Sequence, residues 1–334
     1  MAYLIFSLSL LLIYIGLAQM LHVQFGLLGV PNFGVVGFWG LGMYAVGVMK
    51  VQLDMSFVDS MVLTAALVAV VSYGLGALIL RLERQAILCA TIAFSAIIAL
   101  LAVTEKWMTM GVVGLGTIRQ PFRIFGLEEI LFFFFLLVLI IGVQVYLLKL
   151  HKSRLGRLMV AIRDNEELAA SLGKNTFRVK ILAFTLTCTI MGVLGGLSAP
   201  LNQFLTPNMI VPSITFAVWI SLVLGGKEHA LGAMLGVFVT FGLFDILIET
   251  YAPVSPQFAV LVPNLKLFLY GALLVGVLVY RPRGFLGQSS KADEVLAVLG
   301  RGIAIIGSEL GDAKNSISKG VDRALNGRKT EDDV

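Results

Sequence analysis

Long apolar stretches follow one another along most of this chain, and charged or turn-forming residues bound each of them. A helix needs roughly 20 consecutive apolar residues to cross a bilayer core about 30 Å thick, so these stretches predict transmembrane helices. The composition agrees, because 58% of the 334 residues are hydrophobic and 13% are charged. The predicted spans are residues 2–21, 33–49, 58–80, 86–103, 129–148, 179–199, 213–226, 232–250 and 263–280.

The apolar stretches are apolar on every face, whereas the strands of a membrane β-barrel alternate apolar and polar residues. The sequence therefore predicts an all-α, polytopic transmembrane helical bundle of about 8–10 spans. The first stretch lacks a basic segment before it and is predicted to be a retained span, not a signal peptide. Residues 26–47 are rich in glycine and contain Pro31, which allows either a broken helix or an extra short crossing. The side of the membrane on which the N-terminus lies stays open.

The basic residues fall on alternate sides of successive spans. Cytoplasmic loops of membrane proteins carry an excess of Lys and Arg, so one set of loops is predicted to be cytoplasmic, together with the C-terminus. The net charge of +5 is explained by this orientation without a nucleic-acid partner. The predicted cytoplasmic set comprises Arg81, Arg84, the segment 149–180, Lys227, Arg281 and Arg283.

Motifs for catalysis or nucleotide binding are absent from the sequence. Gly225-Gly226-Lys227-Glu228 lacks both the earlier glycine and the Ser or Thr of a phosphate-binding loop, so ATP would have to bind another chain. Cys89 and Cys188 fall within apolar stretches and are predicted to be buried, without a disulfide or ligand role. The histidines, His22, His151 and His229, are far apart, and the last two are predicted to be ordinary solvated loop residues.

The sizeable loop of the predicted cytoplasmic face is residues 151–180. Asp164, followed three residues later by Glu167, predicts an N-cap and capping box for a helix at about residues 165–172, and Gly173 predicts its end. A second helix is expected at about residues 154–162, with a corner at Arg163 and Asp164. From spacing alone, this loop could dock on a partner protein or lie on lipid headgroups as an amphipathic linker.

The loop resembles the coupling loop of branched-chain amino-acid ABC permeases of the LivM type, which in that family docks on the ATP-hydrolysing subunit. The resemblance rests on Ala161-Ile162-Arg163-Asp164-Asn165-Glu166, then Ala169, Gly173 and Asn175, then Arg178-Val179-Lys180 and Ala183-Phe184. The ATPase-coupling residues that it implies are Gly156, Arg163, Asp164, Asn165, Glu166, Ala169 and Gly173.

Other segments are similar to the same family, and the resemblance covers roughly residues 20–287. They are Asn32–Phe38 with Gly42-Met43-Tyr44, then Gly192, Gly195 and Gly196, then Leu224-Gly225-Gly226 with Gly232 and Gly236, and finally Arg281–Gly287. Lys227-Glu228-His229 departs from the small or apolar residues usual after the Gly-Gly pair. The translocation-path candidates that the resemblance implies are Phe33, Gly34, Gly37, Phe38, Tyr44, Gly225 and Gly226.

The family resemblance implies a non-enzymatic permease subunit of an ATP-binding-cassette importer for branched-chain or related small amino acids. It implies a multi-pass protein of the cytoplasmic (inner) membrane, in the lipid bilayer with a second permease subunit. Two ATPase subunits would hold ATP and Mg²⁺, and an extracytoplasmic binding protein would deliver the substrate. A urea or amide permease of the same family is an alternative. An ion-coupled carrier, in which Asp245 or Glu249 relays protons, is another.

Two regions are expected in the chain: a permease domain at residues 1–287 and a cytoplasmic tail at residues 288–334. Apolar residues between Val295 and Leu310 recur at near-helical spacing, which predicts an amphipathic helix on the membrane or on a partner. The alternative is a disordered tail.

Overall fold

The computed structural model describes residues 2–116, 118, 121, 128–227 and 229–245, together with residues 268–269, 271–272 and 275–276. The predicted all-α fold is confirmed within these residues, which contain a bundle of helices and one isolated antiparallel bridge between Leu115 and Leu205. Among the described residues, six helical segments are long and apolar enough to cross a membrane. The tail 288–334, the terminal signature at residues 281–287, Glu249 and most of the predicted last span lie outside the described residues.

The long helices begin and end close to the predicted limits, because apolar length sets them and charged residues or caps close them. Ser56, for example, accepts a hydrogen bond from the Asp59 backbone N–H at the start of the third helix. These helices are α1 (Ala2–Leu21), α2 (Val35–Val51), α3 (Phe57–Ile79), α4 (Arg84–Thr104), α6 (Glu128–Lys152), α9 (Thr176–Asn202) and α10 (Pro212–Gly225).

Shorter elements connect or extend the long helices. Two π-helical segments prolong helices: His22–Leu27 follows α1, and Phe238–Asp245 follows α11. Only the backbone of Asp245 is described, so its predicted alternative role lies outside what the structure tests. The remaining elements are α5 (Lys106–Thr109), α7 (Arg154–Asp164), α8 (Glu166–Ser171), α11 (Ala230–Val237) and the 3₁₀ turns Gly111–Val113 and Pro207–Met209.

The loops with most of the basic residues meet at one end of the bundle, which we call the basic end. There Arg84 Nη2 lies 3.4 Å from the Arg163 carbonyl oxygen, and Arg163 Nη1 lies 2.5 Å from the Gly26 carbonyl oxygen. The Arg81 guanidinium lies 4.9 Å from the ring centre of Phe177. Lys227 also lies there, with its ammonium 5.7 Å from the ring centre of Phe25. The sequence-based grouping of these loops on one face therefore matches the geometry.

The opposite end of the bundle carries the turn after α2, where Gln52 Nε2 donates to the carbonyl oxygens of Trp107 and Met108 at 3.2 and 2.6 Å. The π segment after α1 lies at the basic end, so α1 begins at the opposite end. Residues 28–34 are a break between α1 and α2 and not an extra crossing. Of the two alternatives for residues 26–47, the structure therefore contains the broken helix and not the extra short crossing.

Helix α9 packs against α2 through glycines that leave no room for side chains. A β-carbon at Gly195 would lie 1.9 Å from the Trp39 carbonyl oxygen, and one at Gly42 would lie 1.8 Å from the Gly192 carbonyl oxygen. Small residues at such crossings let helix backbones approach closely in membranes. The glycines singled out in the sequence therefore join α2 to α9.

The prediction that both cysteines are buried is half right. Cys188 is buried in α9, but Cys89 is exposed on α4. A lipid-facing position is as apolar as a core position, so the apolar stretch around Cys89 could not reveal which side of the helix it occupies.

Candidate functional site

The break between α1 and α2 is the most irregular stretch of buried backbone at the basic end. Helix α1 widens into the π segment His22–Leu27, and Gly29, with a φ of +75°, turns the chain back. The peptide groups remain bonded locally, since the N–H groups of Leu28 and Val30 donate to the carbonyl oxygens of Val23 and Gln24 at 3.2 and 2.9 Å. Such irregular backbone is tolerated at membrane depth where protein covers it.

A buried polar cluster joins this break to α9. Gln24 Nε2 donates to Thr187 Oγ1 at 2.6 Å, Asn32 Nδ2 donates to Gln24 Oε1 at 2.9 Å, and the Gly34 N–H donates to Asn32 Oδ1 at 2.6 Å. Gln24 and Asn32 are fully buried. Sequence reasoning missed this cluster, although a Gln and an Asn beside apolar spans are a signal, because polar groups in lipid are costly.

We expect Asn32→Ala to destabilise the protein, because it leaves Gln24 Oε1 and the Gly34 N–H buried without their partner. Each unsatisfied buried group costs about 1–3 kcal/mol. Thermal unfolding of the purified protein should show a clearly lower Tm. Asn208→Ala, at an exposed asparagine of the 3₁₀ turn, is the control and should leave the Tm unchanged. Equal Tm values for the two variants would contradict the role of the cluster.

The start of α2 is held by threonines from two other helices. The Phe33 N–H donates to Thr91 Oγ1 of α4 at 3.0 Å, and the Val36 N–H donates to Thr215 Oγ1 of α10 at 3.1 Å. Phe33 and Gly34, two of the predicted translocation-path residues, lie at this junction. The free N–H groups of a helix start need partners, and here tertiary contacts supply them.

The other predicted path residues lie within packed regions. Gly37 approaches Ser95, Phe38 is fully buried with its ring 4.6 Å from that of Phe94, and Tyr44 is buried on α2. These contacts give them packing roles, and their part in a translocation path stays a prediction.

The Gly-Gly turn between α10 and α11 also serves packing. A β-carbon at Gly225 would lie 1.7 Å from the Gly232 carbonyl oxygen, and Gly226 adopts a φ of +103°. The Lys227 carbonyl oxygen lies against Gly26 of the α1–α2 break, 2.3 Å from where a β-carbon would stand. The turn thus touches the break at the basic end.

The loop between α6 and α9 contains two short helices, as predicted, but its cap differs. Asn165 caps α8 by accepting a hydrogen bond from the Leu168 N–H at 2.9 Å, so the predicted Asp164–Glu167 capping box is wrong. Asp164 is instead the last residue of α7 and pairs with Arg163 at 3.0 Å. The corner therefore lies at Asn165. Asp and Asn side chains can both cap a helix. Because α7 extends through Asp164, the cap of α8 falls on Asn165.

Arg163 fastens this loop to the α1–α2 break. Its guanidinium donates to the Gly26 carbonyl oxygen at 2.5 Å, and its side chain covers Gly29, where a β-carbon would lie 2.7 Å from Arg163 Cγ. The Arg163 side chain is 26% exposed. Arg163 thus joins the end of α7 to the irregular backbone that precedes α2.

The other predicted coupling residues shape the loop. Gly156 follows the Ser153 cap of α7 and has no room for a β-carbon, which would lie 2.1 Å from the Leu150 carbonyl oxygen. Glu166 forms an ion pair with Lys180 of α9. Gly173, with a φ of +76°, ends the α8 turn as predicted.

Two exposed leucines lie at α8: Leu168 within the helix and Leu172, the residue that caps its C-terminal end. Leu168 is 58% exposed and Leu172 is 73% exposed, whereas Ala169 between them is buried. Residues four apart lie on one face of a helix, so the two leucines form an apolar pair on the outer surface of the loop. We call this pair the α8 knob.

The sequence predicted that His151 is an ordinary solvated loop residue, and this prediction is wrong. Its Nε2 lies 2.9 Å from Nε2 of the fully buried His22, and the two rings stack with centroids 5.2 Å apart. One ring donates the proton and the other accepts it. Within the described residues, no group of three His, Cys, Asp or Glu side chains could hold a metal ion. The pair ties the end of α6 to the π segment.

The family model described as "Branched-chain amino acid transport system / permease component" matches residues 2–278. The high-affinity branched-chain amino acid transport system permease protein LivM of Escherichia coli K12 is 25% identical over 304 residues, 83% of this chain and 68% of its own length.

Two archaeal proteins are also similar. The probable branched-chain amino acid transport permease protein LivM of Methanocaldococcus jannaschii is 26% identical over 328 residues, 84% of this chain and 93% of its own length. The probable permease protein LivH of the same organism is 31% identical over 133 residues, 39% of this chain and 40% of its own length. No solved structure matches the chain.

Proposed function

Because this chain belongs to the family of branched-chain amino acid transport permease components, we propose that it is a membrane subunit of an ATP-driven importer of branched-chain or related small amino acids. ATP and Mg²⁺ are held by two separate ATPase subunits. A second permease subunit completes the pathway, and an extracytoplasmic binding protein delivers the substrate.

The loop between α6 and α9 is the observation that carries this proposal. The sequence contains no phosphate-binding loop, so an ATP-driven permease of this kind receives its energy from a partner, and the α8 knob offers an exposed apolar contact for one. A few buried residues provide most of the binding energy at protein interfaces, and full burial of an exposed leucine side chain contributes about 1.5–3 kcal/mol. Arg163 then links the docked loop to the α1–α2 break.

The basic end is assigned to the cytoplasm, in line with the excess of Lys and Arg in cytoplasmic loops. The chain is then a multi-pass protein of the inner membrane with an extracytoplasmic N-terminus. Helix α8 faces the cytoplasm, where the ATPase subunits bind ATP. The sequence pattern places the C-terminus on the cytoplasmic side. The tail 288–334 is proposed as a separate cytoplasmic segment.

An ion-coupled carrier is the rival mechanism, and it requires ionisable side chains inside the membrane. The buried polar residues of the described part of the chain are Ser, Thr, Asn, Gln and His, with no carboxylate or amine among them. His22 is ionisable, and the side chains of Asp245 and Glu249 lie outside the described residues, so uptake driven by an imposed ion gradient is the measurement that separates the two mechanisms.

The test is substrate-stimulated ATP hydrolysis and leucine uptake by the chain co-purified with its ATPases, second permease subunit and binding protein in proteoliposomes. Leu168→Asp and Leu172→Asp should each weaken ATPase binding, because a charge replaces an apolar anchor. Losing a hot-spot contact costs about 2 kcal/mol or more, which is roughly 30-fold in affinity.

Leu53→Asp is the matched control, because Leu53 is a comparably exposed leucine near the opposite end of the bundle. It should leave the ATPases bound. Full ATPase binding and normal stimulation in both α8 variants would overturn the docking role. Uptake driven by an imposed proton or sodium gradient without ATPases would overturn the transport class, and uptake of urea but not leucine would overturn the substrate.

A further inference from the structure

A small apolar pocket opens against the middle of α4. Ile92, Ser95, Ala96 and Ala99 line it from that helix at spacings of three and four residues, so they share one face. Helix α4 runs from residue 84 to residue 104, so Ile92, Ser95 and Ala96 lie in its central third and Ala99 lies just beyond it. The pocket is therefore close to mid-depth of a helix that is long enough to cross the membrane.

Two helices begin at this pocket and run in opposite directions. Helix α2 leads to the end that carries Gln52, and α10 leads to the basic end; their first turns meet where the Val36 N–H donates to Thr215 Oγ1. They contain 17 and 14 residues. At 1.5 Å per residue, they extend about 26 and 21 Å, and each is shorter than the roughly 30 Å of a bilayer core. Helix α10 reaches membrane length only together with the 3₁₀ turn Pro207–Met209 that precedes it.

The backbone before each of these helices is irregular. Residues 28–34 precede α2, and residues 203–211, which contain no α-helix, precede α10. Irregular backbone at membrane depth occurs where protein buries it or where it lines a cavity, and helices broken near the midplane mark substrate sites in other transporter folds. The pocket lies where the two broken segments meet.

The lining of the pocket suits a small branched apolar group. The rings of Phe33 and Phe216 meet edge to face, with centroids 5.6 Å apart, and Ser95 and Thr215 supply its hydroxyl groups. The pocket volume is about 100 Å³. Since an apolar cavity of about 150 Å³ holds benzene, this pocket can hold an aliphatic group of roughly four carbons.

We propose that this pocket receives the aliphatic side chain of a branched-chain amino acid during its passage through the permease. The inference rests on the proposed function and adds a site to it: Phe33, Ala96, Ala99 and Phe216 form the walls that contact the side chain. The pocket is also open toward the surface of the bundle, so a lipid chain is the occupant against which the proposal must be tested.

Ala99→Phe tests the site by filling it. We expect leucine uptake by the complete transporter to fall roughly 10-fold or more, because the new ring occupies the space of the substrate side chain and even one methylene changes binding in an apolar pocket by about 10–200-fold. Ala66→Phe, the same change at an exposed position in the middle of α3, is the matched control and should retain uptake. Equal leucine uptake by the two variants would overturn the proposal and leave the proposed function standing. Absence of leucine uptake by the unaltered transporter would overturn both.

Ala99→Cys keeps the test decisive if Ala99→Phe does not assemble. In a Cys89→Ser background, with the buried Cys188 retained, a membrane-impermeant thiol reagent should modify Ala99→Cys, and leucine with its binding protein should slow the reaction several-fold. Ala66→Cys is the control for a lipid-facing thiol. Modification of Ala99→Cys as slow as that of Ala66→Cys would show that lipid fills the pocket and would overturn the proposal.

Discussion

Arg163→Ala is expected to abolish most leucine uptake while the ATPase subunits stay bound. The arginine is the described link between the end of α7 and the α1–α2 break, through its hydrogen bond to the Gly26 carbonyl oxygen and its packing on Gly29. A hydrogen bond to a charged group contributes about 1.5–3 kcal/mol, so its loss corresponds to roughly a 10-fold or larger change in coupling. Uptake and ATP hydrolysis, measured together in proteoliposomes, give the comparison.

Two further variants sharpen this result. Arg157→Ala removes an exposed arginine of the same helix, whose guanidinium contacts only the Lys152 carbonyl oxygen among the described contacts, and it should transport normally. Arg163→Lys keeps the charge but loses the planar set of donors, so uptake between those of the wild type and Arg163→Ala is expected. If Arg163→Ala moves leucine as fast as Arg157→Ala, the loop does not act through this contact.

Gly195→Leu is expected to prevent the bundle from forming. The first atom of the new side chain would lie 1.9 Å from the Trp39 carbonyl oxygen and 3.1 Å from the Met43 amide nitrogen, both of which belong to the backbone of α2. Overpacking costs about 1–3 kcal/mol where side chains can move aside, and backbone atoms cannot, so we expect a larger cost. The yield and Tm of monodisperse protein in detergent are the measurements.

Gly142→Leu is the matched control for this change. Gly142 lies in the membrane-length helix α6, and nothing stands within 4 Å of its added β-carbon. It should give protein in normal yield with an unchanged Tm. Equal behaviour of the two leucine variants would mean that the close approach of α2 and α9 is not needed for the fold.

The helices were predictable because apolar length is a local property of the chain. The predicted span 2–21 coincides with α1, and Gly173 ends the α8 turn where the sequence placed it. Length and charge located the loop and the family resemblance named the coupling residues expected in it, but local sequence could not separate Asp164 from Asn165 as the cap. Both side chains accept hydrogen bonds from a helix start, and the choice depends on where α7 ends, at the residue after the anchored Arg163.

The contacts that build the site could not be predicted from the sequence, because they join distant residues. His22 and His151 are 129 positions apart, and Gln24 and Thr187 are 163 positions apart. Nor could periodicity show that Cys89 faces outward, since lipid and the protein core favour the same apolar side chains. The few polar side chains within the apolar stretches form the hydrogen bonds that join distant helices.

Helix α1 and the π segment that follows it are synthesised well before the helices to which their polar side chains bond. The hydrogen-bond partner of Gln19 is Gln144, that of His22 is His151 and that of Gln24 is Thr187, and each partner is synthesised more than 100 residues later. At about 5–20 residues per second, the last of these partners is synthesised roughly 8–30 s after Gln24. Unpaired polar groups are costly in lipid, so the newborn helix should stay beside the insertion machinery until α9 arrives. The order of synthesis thus gives α1 and the π segment an interval of up to 163 residues in which their polar groups depend on that machinery for shielding from lipid.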